Sequence, residues 1–159
     1  MGDHSESIRI EYDPTRVSYQ NLLDIFWANH SPWDRSFSRQ YASFIFCHNE
    51  EQRKAALASR DKIVEMSRKP VYTEIVPAST FYPAEAYHQK YALRSQMDLM
   101  KEFRSMYPAD IEFVASTAAA RVNGYVSGEG TLAELEAEID SLGLAETGRR
   151  MLLKMVKSN

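Results

Sequence analysis

Cysteine is almost absent: the 159 residues contain one, Cys47. A single thiol forms no internal disulfide and no cysteine cluster for a metal, so a disulfide scaffold and a zinc ribbon are excluded. Positive charge is not in excess either, since 19 Lys and Arg face 22 Asp and Glu for a formal net charge of −3. That balance gives no field to draw in a nucleic-acid backbone or an anionic membrane, and neither is expected as a partner. No apolar run approaches the ~20 residues that span a bilayer. The polar stretch Met1–Asp13 lacks the apolar core of a signal peptide. A soluble, cytoplasmic protein is the expectation. Glycine is missing between Gly2 and Gly124, whereas five glycines fall from Gly124 to Gly148. The chain therefore has two textures: short alternating segments to about residue 94, and helix with turns beyond it.

Apolar residues make up 44% of the chain, enough for a core. Ser7 to Tyr12 alternates with period two, placing Ile8, Ile10 and Tyr12 on one face, and predicts a strand that Asp13-Pro14 ends. Ser18 is a good N-cap, and Tyr19, Leu22, Leu23, Phe26 and Trp27 form the stripe of a helix ending near His30. Tyr41 to Cys47, rich in aromatic and β-branched residues, predicts a second strand. Asn49 with Gln52 resembles a capping box, and Glu50 to Arg68 predicts a helix with Leu57, Ile63 and Val64 inward. A third strand is expected at Val71 to Val76, ended by Pro77. The order β-α-β-α-β predicts an α+β layer sandwich. Beyond it, Met97, Met100, Phe103 and Met106 make an apolar stripe of adaptable core filler. Thr131 and Glu134 make a capping box for a helix carrying Leu132, Leu135, Ile139 and Leu142, with Gly143 as its stop. Met151, Leu152 and Met155 are expected to pack in the same helical cluster.

Three groups could carry chemistry. Glu6, beside His4 at the start of the first segment, could serve as an acid if partly desolvated; a solvated carboxylate at a strand start is the plainer reading. Glu85-x-x-His88, on a helix expected from Pro83, has the spacing used in carboxylate di-metal sites. Such sites need two copies and further carboxylates, and only one copy is present. No metal is expected, and His88 and Tyr91 are read as packing and hydrogen-bonding groups on an inner helix face. Cys47 lies in a strand of buried character, where apolar surroundings keep a thiol protonated and inert.

Several further stretches occur together: Gly2-Asp3-His4-Ser5-Glu6-Ser7, Glu11-Tyr12-Asp13-Pro14, Leu22-Leu23-Asp24-Ile25-Phe26-Trp27, Arg39-Gln40-Tyr41-Ala42-Ser43, and Phe81-Tyr82-Pro83-Ala84-Glu85-Ala86-Tyr87-His88. In this order they closely resemble the later part of peptide methionine sulfoxide reductase A, densely over about residues 2 to 94. Ser116 to Tyr125 is similar to an extension of some eukaryotic members. The resemblance implies a ferredoxin-like layer sandwich over residues 1–108, here with an incomplete sheet, and a helical C-terminal extension over 109–159. It also implies protein repair under oxidative stress. A thiolate attacks the sulfoxide sulfur of an oxidised methionine, the oxygen is protonated, and the thiol becomes a sulfenic acid that a second thiol or thioredoxin removes as a disulfide. No cofactor is implied beyond that thiol reductant. In the family a glutamate and tyrosine hydroxyls bind the oxygen. Glu6, six residues before Tyr12, matches that glutamate, and Tyr41 matches the tyrosine of the Gln-Tyr motif.

The chain departs from the family where the chemistry begins. The family nucleophile sits in a Gly-Cys-Phe-Trp-Gly motif ahead of the matching glutamate, and no such motif stands before Glu6. Cys47 aligns with an ordinary strand position. The family's Asp falls on Ser36 and a Gly on Ser38, with Asp34 nearby, and Gly124 to Gly130 holds no resolving thiol. Two classes follow: an oxidoreductase by descent, truncated or inactive as this chain, or a non-catalytic binding or interaction module that keeps the substrate-side residues or uses its helical tail to meet a partner. In the first case apolar surface is expected to be exposed beside Ser7 to Tyr12, near Phe26 or Trp27.

Overall fold

The computed structural model describes residues 5–158. They form two compact units that divide between Phe81 and Tyr82.

The first unit is built from one parallel β-α-β element with a helix against it. Helix α1, Tyr19–Ala28, starts at Ser18, whose extended backbone lets its hydroxyl accept from the Asn21 N–H. Asn21 returns the bond, its Oδ1 accepting from the Ser18 N–H at 3.1 Å. Two of the four donors orphaned at a helix start are thus satisfied by two side chains. Strands β1, Phe44–Cys47, and β2, Glu74–Pro77, pair in parallel with Phe44 opposite Glu74 and Cys47 opposite Pro77. Parallel neighbours need a long crossover. Helix α2, Glu50–Ser67, supplies it.

Alternation along β1 buries Ile45 and Cys47, which join Leu23, Trp27 and Ala56 in the core of this unit. The buried face of α2 differs from the expected one: Ala56 and Ser59 are buried, Leu57 and Ile63 are half-buried, and Val64 is 40% exposed. Small residues face inward because α1 crosses there, and the Trp27 indole fills the space by donating to Ser59 Oγ at 2.9 Å. The expected capping box is half made. Asn49 Oδ1 accepts from the Gln52 N–H at 2.8 Å, but Gln52 Oε1 accepts from the His48 N–H, one residue before the cap.

Three strand expectations need correction. Ser7 to Tyr12 is irregular, with Ile8 85% and Ile10 52% exposed. The alternating pattern encodes a buried face, but a strand forms only against a partner, and among the described residues none pairs with this stretch. Arg39–Tyr41 is a 3₁₀ turn, so β1 begins at Phe44 rather than Tyr41. Strand β2 begins at Glu74 rather than Val71, and Pro77 is its last residue. The expected exposure near Phe26 or Trp27 is not found at those rings, since Trp27 is buried and Phe26 half-buried; exposed apolar groups of this unit include Ile8, Ile10, Ile25 and Phe37.

The second unit is helical: α3, Tyr91–Arg94; α4, Met97–Met106; α5, Asp110–Ala115; α6, Thr117–Val126; α7, Leu132–Glu138; and α8, Glu146–Ser158. Leu93, Leu99, Phe103, Val122, Leu135, Leu142 and Leu152 are fully buried in one core. Thr131 and Glu134 form the complete expected capping box, and Gly143, at φ 73°, ends the following 3₁₀ turn in a conformation that side chains disfavour. Met151 and Met155 pack against this core beside Leu152. The α4 stripe is narrower than expected, since Met97 is 79% exposed while Met100 and Phe103 are buried. No helix of the described residues is long and apolar enough to cross a membrane.

The helix expected from Pro83 is also absent. Ala86–His88 makes one 3₁₀ turn, and Lys90 then takes a left-handed conformation at φ 54° before α3 starts. That reversal breaks the three-to-four spacing, so His88 and Tyr91 share no inner face and both are exposed.

Candidate functional site

Serines shape the turn that presents Tyr41. Ser36 Oγ donates to the Ser38 carbonyl at 2.8 Å and accepts from the Ser38 N–H at 3.2 Å. Ser38 Oγ then accepts from the Gln40 N–H at 3.2 Å, capping the 3₁₀ turn Arg39–Tyr41. Short hydroxyl side chains do this because they reach their own backbone two residues on. Tyr41 emerges from the turn 66% exposed.

The segment carrying Glu6 is tied to this same turn. The Glu6 N–H donates to the Gln40 carbonyl at 2.9 Å, and Ser5 Oγ donates to the Arg39 carbonyl at 3.0 Å. Gln40 Nε2 closes the link by donating to Glu6 Oε1 at 2.8 Å. Glu6 is thereby fixed to the residue next to Tyr41, and the two site residues read from the sequence belong to one cluster. The carboxylate is exposed rather than desolvated. Neighbouring cations are engaged elsewhere: the Arg39 guanidinium lies over the Phe44 ring, and Arg9 lies over Phe81 and pairs with Glu11 at 3.5 Å. An open cleft of about 540 Å³ adjoins the turn, with Asp34, Ser36, Ala42, Ser43 and Tyr72 among its walls. His4 lies outside the described residues.

Cys47 is a core residue. It is 5% exposed, its Sγ is 4.0 Å from the Tyr19 hydroxyl, and burial pushes the thiol's pKa up. The same burial, with the sulfur beside it, raises that of Tyr19. A thiol held protonated among apolar groups is a poor nucleophile. Glu85 and His88, in the second unit, stand 3.9 Å apart and exposed. Among the described residues no group of three or more His, Cys, Asp and Glu could hold a metal ion.

Three residues of this cluster were not singled out from the sequence as site residues. Gln40 stood in the Gln-Tyr motif, read for its tyrosine alone. The Ser36-x-Ser38 pair was read for what it replaces, although serines at this spacing are a turn signal in their own right.

Comparison with known proteins gives this cluster a context. The family model described as peptide methionine sulfoxide reductase matches residues 1–119. This chain belongs to that family. A second model, described as the helical domain of selenoprotein methionine sulfoxide reductase A, matches residues 109–158. Among curated relatives, a peptide methionine sulfoxide reductase of Drosophila melanogaster is 41% identical over all of this chain and 64% of its own length. Peptide methionine sulfoxide reductase MsrA of Methanosarcina acetivorans is 48% identical over 55% of this chain and 50% of its own length. Peptide methionine sulfoxide reductase A5 of rice (Oryza sativa subsp. japonica) is 35% identical over 80% of this chain and 52% of its own length. The chain thus spans roughly half to two thirds of the relatives it matches.

Proposed function

We propose that this chain carries the sulfoxide-binding side of a peptide-methionine (S)-S-oxide reductase and takes part in repairing oxidised methionine in proteins. The supporting observation is the three-bond link that fixes Glu6 to the turn bearing Tyr41. In this reading the Glu6 carboxyl delivers a proton to the sulfoxide oxygen, and the Tyr41 hydroxyl donates a hydrogen bond to it. A phenol, titrating near ~10 in water, is a donor at neutral pH. The attacking thiol is not Cys47. It comes from a segment with the family's Gly-Cys-Phe-Trp motif, outside residues 1–159, which also completes a ferredoxin-like sandwich beside Ile8 and Ile10. Without that segment the chain is inactive. With it, thioredoxin or another thiol reduces the sulfenic acid, in the cytoplasm.

The alternative, a non-catalytic module that binds oxidised methionine, is favoured by one observation: the chain's single thiol is buried and protonated.

The test joins the segment ahead of residue 1 and follows reduction of a dabsylated Met-S-sulfoxide with dithiothreitol. The chain alone gives no turnover and the extended protein does. Glu6→Gln lowers that turnover by ~10²–10⁴, the usual worth of a positioned acid. Turnover by the chain alone that vanishes in Cys47→Ser refutes the assignment of the thiol. A folded extended protein with no turnover leaves only the binding module.

A further inference from the structure

We propose that the free edge of β2 receives the main chain of the oxidised protein beside its methionine sulfoxide, which rests on the reading of Glu6 and Tyr41 as the sulfoxide-binding residues. In the parallel pair the Glu74 N–H donates to the Ser43 carbonyl at 3.0 Å, and the Ala78 N–H to the Cys47 carbonyl at 2.8 Å. Residues two apart in a strand face the same way, so the backbone groups of Glu74, Val76 and Ala78 face β1 while those of Thr73 and Ile75 face outward. Among the described residues no strand pairs with that outer edge. Pro77 closes it, because proline has no N–H to offer. A ladder of only Thr73 and Ile75 remains, enough to hold a short extended peptide and weak enough to release it.

This edge forms one wall of the cleft of about 540 Å³. Other walls come from the chain on both sides of Tyr41: Ser36, whose hydroxyl fixes Ser38, and Ala42 and Ser43, which follow Tyr41 directly. A peptide lying in the cleft therefore passes the turn that carries Tyr41 and is tied to Glu6. The cations of the cleft are already engaged, Arg35 over the Tyr72 ring at 4.8 Å and Arg60 with Asp61 at 2.9 Å. Main-chain bonds give affinity whatever the side chains, which suits repair, since methionine is oxidised in many sequence contexts. A segment ahead of residue 1 is the poorer occupant. A strand added permanently to a parallel sheet is apolar on both faces, whereas Glu74 and Pro77 are exposed, and the apolar surface such a segment would cover lies at Ile8 and Ile10.

The experiment titrates the ¹⁵N-labelled 159-residue chain with an acetylated peptide of alanine and serine around one Met-S-sulfoxide. Backbone amide signals should move at Thr73 and Ile75 and move far less at Glu74 and Val76, whose amides face β1. The Ile75 amide, open to water in the free chain, should exchange ~2-fold more slowly at half saturation, where half the molecules carry peptide. A single N-methyl group moved along the peptide should weaken binding ~2- to 10-fold, the net worth of one hydrogen bond, at alternate positions only. Signals at Thr73 and Ile75 that stay in place up to millimolar peptide, or equal losses at every methylated position, overturn the proposal. So does an Ile75 amide already slow to exchange when the segment ahead of residue 1 is joined and no peptide is present, since that segment then holds the edge. These results leave the sulfoxide reading standing, because that reading fails only in the reduction assay of the extended protein.

Discussion

Replacing Ser59 by alanine tests whether the first unit depends on one polar contact in its core. Ser59 is 4% exposed; it accepts from the Trp27 indole at 2.9 Å and donates to the Ala56 carbonyl at 2.8 Å. Removing one small hydroxyl opens little space, so the cavity contribution is minor. The larger effect is on Trp27, itself 8% exposed, whose indole N–H is left buried without an acceptor. An orphaned donor costs ~1–3 kcal/mol, against ~0.5–1.5 kcal/mol for the net worth of an ordinary hydrogen bond. A unit of 81 residues holds only ~4–12 kcal/mol in total, so the loss is a large fraction of it. Urea unfolding followed by tryptophan fluorescence, with Trp33 kept as the reporter in every variant, measures it. The decisive comparison is Ser59→Ala in a Trp27→Phe background, where no indole remains to be orphaned and the cost should fall well below 1 kcal/mol. Equal costs in the two backgrounds refute the argument and assign the effect to Ser59 and Ala56 alone.

In the second unit, Phe103→Ala should cost ~3–5 kcal/mol by thermal or urea unfolding, because the ring is fully buried with Phe113 edge-on at 5.9 Å, while Met97→Ala should stay within ~0.5 kcal/mol. Equal effects at the two positions would mean that α4 faces its core differently. Tyr125 should ionise late in an absorbance titration at 295 nm, since burial and its 2.8 Å hydrogen bond to the Glu138 carboxylate push its pKa up to about 12. The neutral phenol is favoured in the fold, so this contribution to stability is complete below the unfolded value near ~10 and is lost as pH rises from there toward 12. Glu138→Gln should move the ionisation to lower pH, and Tyr125 ionising near ~10, the value of a phenol in water, would refute the burial argument.

Elements that carry their own boundary chemistry were legible in the sequence; those needing a distant partner were not. Helix α1 starts where Ser18 said it would and α7 where Thr131 and Glu134 said, because a cap is satisfied within four residues and needs no tertiary context. Ile8, Ile10 and Tyr12 alternate as well as any strand, yet the stretch stays irregular, since period two specifies a face and a strand also needs backbone groups beside it. The inner face of α2 was misread for a related reason. Counting large apolar residues selected Leu57 and Val64, while the space beneath α1 admits Ala56 and Ser59.

The candidate site shows the same division between local and non-local information. Glu6 and Tyr41 were named through resemblance, a record of chemistry shared with relatives that no periodicity in residues 1–50 encodes. Their meeting rests on bonds joining residues 34 apart, from Ser5 to Arg39 and from Glu6 to Gln40. A motif reading attends to groups that would touch substrate, and the Gln40 side chain instead donates to that of Glu6. Residues of that kind become visible when donors and acceptors are matched in space, because their role lies in fixing a neighbour's geometry rather than in any chemistry of their own.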